Sequence, residues 1–306
     1  MYDIIGDVHG QASHLKKLLV EMGYEKVDGT YSHPSRKAIF VGDFINRGAE
    51  IRKTIWIIRS MVEEGKALAI LGNHEINAIL YHLKDKQGIL MVKKPSKNYL
   101  ALYKTINEFA LNPLEWKDTL QWLRTLPLFL DLGGIRVVHA CWSEEAIKVA
   151  KTIYTEGRIK KSVFRTIHKK SEDEITKSVW LLTKGVYLRM PADLRVRNNK
   201  GVTPRVVRME WWDSPENKTF EELSFESKFT LPQYTVPKEI LAKTYPYPED
   251  APPVFFGHYC RGAGPLIVKG NVCCVDSCVT GSGVLTAYRW DGEQQLSAEK
   301  VVQIKD

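Results

Sequence analysis

The chain has 306 residues, 44% hydrophobic and 26% charged, with a formal net charge of +8. That composition can bury a core and excludes a chain disordered throughout. No apolar run approaches the ~20 residues needed to cross a bilayer. The start Met1-Tyr2-Asp3-Ile4-Ile5-Gly6-Asp7 also lacks a basic signal-peptide region, so a cytoplasmic protein with no membrane partner is expected.

The first 140 residues alternate strand and helix. Tyr2–Ile5 reads as an apolar strand that ends at Gly6-Asp7. Ser13 is expected to cap a helix carrying Leu15, Leu18, Leu19 and Met22 at helical spacing, with Gly23 as its stop. Ala38–Val41 is the next strand, ending at Gly42-Asp43, and a helix follows over about Glu50–Glu64. Ala67–Leu71 is the third strand, ending at Gly72-Asn73-His74-Glu75, where another helix starts. Three strand-Gly-polar-helix units in a row predict an α/β sheet covered by helices. In such sheets ligands collect beyond the carboxyl ends of the strands.

Farther along, Lys84–Asn98 is a polar, basic stretch, followed by helices near Tyr99–Phe109 and Leu114–Thr125. Leu128–Leu132 and Ile135–His139 form a hairpin around Gly133-Gly134 that delivers His139 at a strand end. Residues 151–235 are richly charged and read as a helical or irregular insertion, a cap beside the site within one domain spanning 1–306. The apolar β signal returns at Val254–Gly257 before His258, then at Leu266–Lys269, Asn271–Val275 and Val284–Trp290. Gly281-Ser282-Gly283 reads as a turn. The five cysteines form no CxxC pair, and Cys273 and Cys274 lie in an apolar stretch, so reduced, structural thiols are expected.

Five polar knots stand directly after apolar β runs: Gly6-Asp7-Val8-His9-Gly10, Gly42-Asp43-Phe44-Ile45-Asn46-Arg47-Gly48, Gly72-Asn73-His74-Glu75, Val138-His139-Ala140 and Gly257-His258. They supply carboxylate, amide and imidazole donors without a thiolate, a set suited to Mn²⁺, Fe or Zn²⁺ and unlike a structural zinc site. A carboxylate such as Asp43 can bridge two ions about 3.5–4 Å apart. A hydroxide formed from a shared water would then attack phosphorus in line. Taken singly, each of these residues is more often a capped turn or a satisfied core group. All five in order, each after a strand, point to chemistry.

The ordered set GDxHG, GDxxNRG, GNHE, strand-end His and GH resembles the phosphoprotein phosphatase (PPP) branch of the calcineurin-like metallophosphoesterases, over residues 1–140 and again over about 254–290. The resemblance implies a two-layer β-sandwich flanked by helices. It implies two divalent metal ions, manganese first, with Asp7, His9 and Asp43 holding one and Asp43, Asn73, His139 and His258 the other. Arg47 would fork onto the substrate phosphate, and His74 would protonate the leaving oxygen. Arg208 is a candidate second phosphate-binding arginine.

Asn46 departs from the pattern, which usually has Asp there, paired to the GNHE histidine. An amide oxygen can still accept that imidazole N–H but brings no charge, so His74 is expected to titrate low and to serve phosphate leaving groups better than alkoxides. The bacterial diadenosine tetraphosphate hydrolases, similar in these motifs, also lack that Asp but usually carry HD after GN. In addition, the run His33-Pro34-Ser35-Arg36-Lys37-Ala38-Ile39-Phe40-Val41-Gly42-Asp43 resembles the stretch before motif two in the phosphatase module of bacterial polynucleotide kinase-phosphatases.

The leading expectation is a metal-dependent phosphomonoesterase acting on phosphoserine or phosphothreonine in a protein. The runner-up is a nucleotide or RNA-end phosphoesterase, requiring no stable nucleic-acid complex. A non-catalytic anion-binding module is the alternative of another class. His14, His33, His82 and His168 are expected at the surface or in loops, His82 being a weak substrate-side candidate. Trp211 and Trp212 are expected in the core.

Overall fold

The computed structural model describes residues 1–92, 97–169, 172–190, 206–225, 231–241, 243–262 and 264–305. Parts of the basic stretch (93–96) and of the expected insertion (191–205 and 226–230) lie outside them. Two five-stranded sheets form the centre. In the first, Tyr2–Ile5 lies between Lys37–Phe40, parallel, and Val284–Trp290, antiparallel, with Ala67–Ala69 and Val301–Lys305 at the edges. In the second, Val254–Phe256 lies between Arg136–Val138 and Val272–Cys274, both parallel, with Phe129–Asp131 and Ile267–Lys269 at the edges.

Strand side chains alternate faces, and the burial follows that alternation. Ile4, Ile39 and Val41 of the first sheet and Val137, Phe255 and Cys273 of the second share one inner cluster. Phe255 and Tyr288 touch across it, with ring centroids 5.0 Å apart. Ile5, Ala38, Phe40, Val138, Val254 and Phe256 face the other way, into the larger core beneath the helices. The molecule is thus a β-sandwich flanked by helices, as the resemblance implied. Truncating Phe255 to alanine would open a hole between the sheets at a cost of about 3–5 kcal/mol.

Several details differ from expectation. The first helix is Ala12–Glu21 with Gln11 before it, so Ser13 sits inside the first turn, where its backbone N–H donates to Glu50 Oε2 (2.7 Å). His14 is buried in that helix rather than exposed. Gly281 and Ser282 belong to a one-turn helix, Val279–Ser282. The edge strand Val301–Lys305 carries only a weak apolar alternation and is legible mainly once its partner is known. Trp211 and Trp212 are fully buried among Phe256, Phe225 and Tyr259.

Within 151–235 the described elements are helices Lys161–His168, Glu174–Lys184 and Phe220–Leu223, with two short strand pairs. One of these pairs Tyr187–Arg189 with Val206–Arg208, setting Tyr187 opposite Arg208. Among the described residues no helix is long and apolar enough to cross a membrane.

Candidate active site

All three polar loops of the first sheet leave the carboxyl ends of parallel strands: Tyr2–Ile5 leads to Asp7 and His9, Lys37–Phe40 to Asp43, and Ala67–Ala69 to Asn73. In the second sheet, Arg136–Val138 leads to His139 and Val254–Phe256 to His258. The six residues read from sequence therefore converge at one end of the sandwich, each at most 9% exposed.

Close packing of the loops explains their glycines. A Cβ on Gly72 would stand 2.2 Å from Asp43 Oδ1, and one on Gly257 would stand 2.1 Å from Asp7 Oδ1. Backbone bonds join the first two loops: His9 N–H donates to the Asp43 carbonyl (2.9 Å) and Gly10 N–H to that of Phe44 (2.8 Å). His9, Asp43, Asn46, Arg47 and His258 all take positive φ, between 44° and 69°. Such conformations cost a non-glycine residue on the order of 1–3 kcal/mol and concentrate where function needs a side chain aimed.

Glu75, fully buried, holds this cluster of loops together. Its carboxylate accepts the backbone N–H groups of Gly72 (3.0 Å), Asp43 (2.9 Å) and Phe44 (2.9 Å). It anchors the loop rather than facing substrate, so its presence after His74 does not discriminate between phosphate substrates.

The donor atoms suit cations. His9 Nε2 lies 3.6 Å from Asp43 Oδ2 and 4.0 Å from Asp7 Oδ2. His139 Nε2 lies 3.4 Å from Asp43 Oδ1 and 3.2 Å from Asn73 Oδ1. Atoms that share a cation at bonds of about 2.0–2.2 Å sit at nearly these separations. Asp43 thus faces His139 with Oδ1 and His9 with Oδ2, which also lies 3.8 Å from His74 Nε2, and His258 joins the Asp43–His139 group within 4.8 Å.

The tautomers agree. His9 Nδ1–H donates to the Ile45 carbonyl (3.0 Å) and His139 Nδ1–H to that of Val41 (2.7 Å), leaving both Nε2 lone pairs pointing inward. Such outer hydrogen bonds are how proteins orient metal-binding imidazoles.

Electrostatics pull His9 and His139 in opposite directions. Burial pushes the Asp7 carboxyl well above its ordinary range, and the nearby Asp276 adds to the effect. Burial also takes His9 down to about 3, keeping it the neutral imidazole a metal requires. At His139 burial opposes the charge, but the Asp43 carboxylate prevails and raises it to about 10, so an ion bound at its Nε2 would have to displace a proton there. A buried cluster of carboxylates and imidazoles is a fitting host for divalent ions, whose own charge would dominate it.

His74 also stands within 4.8 Å of the His9 and Asp43 donor atoms, but its ring nitrogens are otherwise engaged. Asn46 Nδ2 donates to its Nδ1 at 2.6 Å, so the ring proton sits on Nε2, 3.8 Å from Asp43. Here the sequence expectation needs correcting: the amide nitrogen, not its oxygen, faces the imidazole. Asn46 Oδ1 is occupied, accepting the Thr105 hydroxyl at 2.6 Å. Burial, reinforced by the Arg47 charge, lowers His74.

Arg47 is exposed, with one terminal nitrogen 3.5 Å from His74 Nε2, so two donors stand side by side. Arg208 reaches the site from the Val206–Arg208 strand and donates to the His258 carbonyl (2.8 Å). His82 does not reach it: its Nδ1–H donates to the Ala78 carbonyl (2.8 Å) and its Nε2 accepts Trp116 Nε1–H (3.1 Å).

Three residues of the site escape a reading of the sequence. Tyr187 places its hydroxyl 3.4 Å from His258 Nε2; its strand partner is some twenty residues away in a motif-poor region. Thr105 sits in the middle of an ordinary helix. Asp276 had a signal, since it follows an apolar strand just as Asp7 and Asp43 do. It accepts the backbone N–H groups of Cys260 and Cys278 (both 2.8 Å), and these two cysteines form a disulfide with Cα atoms 4.7 Å apart. The expectation of five reduced thiols fails because two loops distant in sequence meet at Asp276. Cys141, Cys273 and Cys274 are free and buried.

Comparison with known proteins supports the same reading. The calcineurin-like phosphoesterase family profile matches residues 2–260. An asymmetrical bis(5'-nucleosyl)-tetraphosphatase of Oceanobacillus iheyensis is 34% identical over 51% of this chain and 64% of its own length. One from Geobacillus is 44% identical over 45% and 56%. The chain therefore spans less than two thirds of these relatives. A symmetrical bis(5'-nucleosyl)-tetraphosphatase of Marinomonas is 26% identical over 96% of this chain and 95% of its own. Among solved structures, a cold-active protein-tyrosine phosphatase of a psychrophilic Shewanella shares the fold, with a TM-score of 0.52 at 14% identity over 94% of this chain and 75% of that one. The chain belongs to the calcineurin-like phosphoesterase family.

Proposed function

We propose that this protein is a hydrolase that cleaves the phosphoanhydride bonds of nucleoside polyphosphates, dinucleoside tetraphosphates being the model substrate. The observation that carries this reading is the 2.6 Å contact from Asn46 Nδ2 to His74 Nδ1. An imidazole that accepts at Nδ1 can offer its Nε2–H as a hydrogen bond, but its imidazolium form has no acceptor for a second proton. Such a group stabilises a departing phosphate, which needs little protonation, better than an alkoxide, which needs a full proton. The names of the relatives agree with this preference.

In this reading Asp7, His9 and Asp43 hold one divalent ion, and Asp43, Asn73, His139 and His258 hold the other. Manganese suits the donors, and iron or zinc are alternatives. Bound there, the ions would neutralise phosphate charge and supply the nucleophilic water. Arg47 and Arg208 grip the non-reacting phosphates, and residues 151–235 act as a cap that delivers Tyr187 and Arg208.

A phosphoserine or phosphothreonine phosphatase is the weaker reading, because the Glu75 that favoured it is accounted for as a loop anchor. The test is a parallel assay with Mn²⁺ on diadenosine tetraphosphate, a phosphoserine peptide and an RNA 2',3'-cyclic phosphate end. Faster turnover of the peptide, or of the RNA end, would overturn the proposal. Product analysis, two ADP against ATP plus AMP, identifies which anhydride is cut.

A further inference from the structure

A cavity of about 770 Å³ opens beside the metal-ligand cluster and is lined by Trp180, Lys184, Tyr187, Tyr245 and Glu174 among others. Its size falls in the range of small-molecule sites. Tyr187 belongs to both places, since it lines the cavity and its hydroxyl lies 3.4 Å from His258 Nε2. The cavity therefore adjoins the proposed reaction centre at Tyr187.

Local structure fixes this junction. Helix Glu174–Lys184 starts at Asp173, whose side chain accepts Thr176 N–H (2.8 Å), and ends at Gly185 with φ 75°. There Val186 N–H donates to the Tyr259 hydroxyl (3.2 Å), and a Cβ on Gly185 would stand 2.1 Å from that same oxygen. The chain turns against the neighbour of His258, so Tyr187 cannot drift from the metal end.

Along this helix the cavity has a polarity. Lys184 is at the metal end, its ammonium 3.4 Å from the centroid of the Trp180 indole. Glu174 lies at the opposite end, roughly 15 Å away along the axis at 1.5 Å per residue. Phosphate-seeking charge and aromatic surface thus lie together at the end near the reaction centre, and Glu174, Glu172 and Lys177 line the outer end. A nucleoside phosphate likewise joins a phosphate to a flat base.

We propose that this cavity is the nucleoside subsite, with the base taking the place of the Lys184 ammonium over the Trp180 indole, beside Tyr245, and Lys184 turning to the adjoining phosphate. The proposal rests on the nucleotide reading above and adds where the base is held. Stacking on an aromatic wall is sequence-tolerant, because every base has a π face. The site would therefore accept different nucleosides while rejecting substrates that carry none.

The test uses the Mn²⁺-loaded protein and calorimetric titration with AMP and with ribose 5-phosphate, which differ only in the base. AMP is expected to bind about tenfold more tightly, the usual scale of one base–aromatic stack. Trp180→Ala should bring AMP down to the ribose 5-phosphate level, and Trp180→Phe should keep most of the preference. Equal binding of the two ligands to the wild-type protein, or an unchanged ratio in Trp180→Ala, overturns the subsite. Diadenosine tetraphosphate turnover by the same preparation separates the two claims. Turnover without base-dependent binding removes the subsite alone, and base-dependent binding without turnover removes the hydrolase reading alone.

Discussion

The side-chain nitrogen of Asn46 donates to Nδ1 of His74 across 2.6 Å, and this orientation is enforced from the other side by Thr105. Thr105 Oγ1 accepts the backbone N–H of Asn46 (3.1 Å) and gives its own proton to Asn46 Oδ1 (2.6 Å). With the hydroxyl committed in both directions, the amide presents its donor end to the imidazole. The ring is then a fixed Nε2–H donor beside Arg47, rather than the proton-bearing half of a carboxylate–imidazole pair.

Replacing Asn46 by aspartate supplies the missing acceptor. The imidazolium of His74 gains a charged partner, so its pKa rises and the protonated acid persists to higher pH. Asn46→Asp should speed hydrolysis of an alkyl phosphate such as phosphoserine by about tenfold, a modest part of what general acids contribute. Diadenosine tetraphosphate should change much less, and the alkaline limb of the alkyl-phosphate profile should move upward. Equal responses of both substrates would show that leaving-group protonation is not what Asn46 governs.

Thr105→Val tests the same device from behind. The substitution preserves shape but leaves Asn46 N–H and Oδ1 without their buried partner, a loss of about 1–3 kcal/mol. Freed from the hydroxyl, the amide can turn its oxygen to His74. The alkyl-phosphate to anhydride ratio should therefore shift in the direction of Asn46→Asp, by a smaller factor. Urea unfolding and the two assays together decide the matter: a stability loss with an unmoved ratio means that amide orientation is irrelevant to substrate choice.

Asp43 is the carboxylate that faces both imidazole groups, 3.6 Å from His9 and 3.4 Å from His139. Asp43→Asn keeps the shape and removes the charge between the proposed ions. Metal content should fall below two ions per chain, and turnover should drop by about a thousandfold, the several kcal/mol that a metal pair contributes. Elemental analysis read beside activity makes the outcome plain. Full metal loading with near-normal turnover would dismiss Asp43 as the bridge.

Much of this was legible because the informative residues sit directly after apolar strands. Asp7, Asp43, Asn73, His139 and His258 each follow a run whose period-2 burial the core clusters reproduce. Local pattern carries no information on which way an amide points, so the orientation of Asn46 needed Thr105, 59 residues away, to settle it. The disulfide was hidden for a similar reason: Cys260 and Cys278 are joined by 18 residues of separation and a shared contact with Asp276 rather than by a spacing motif. Tyr187 and Arg208 are brought together by strand pairing inside a motif-poor stretch.

Arg36 links the strands that carry the first motif to their neighbours, and its removal should be felt as stability rather than as chemistry. Its guanidinium donates to the fully buried Asp3 (2.8 Å) and to the carbonyls of Tyr2 (2.9 Å) and Trp290 (3.1 Å), and it pairs with Asp291. Arg36→Ala strands the Asp3 charge in the core, at a cost of about 3–5 kcal/mol. The residual bonds from Tyr24 (3.0 Å) and Arg289 (3.2 Å) make the lower figure the better expectation.

The Asp291 partner gives this network a pH signature. Hydrogen bonds from Arg36 and then Lys300 hold its carboxyl down at about 2. An unfolded aspartate titrates near ~3.9. The contribution is therefore complete above about pH 4 and is lost as the pH falls toward 2, the direction for an acid depressed in the folded state. Because Asp291 is about one third exposed, solvent screening keeps the effect small. Thermal melts of Asp291→Asn should converge on those of the wild type as the pH falls from 4 to 2. A gap between the two proteins that stays constant over that interval would rule out the pairing as the source of acid sensitivity.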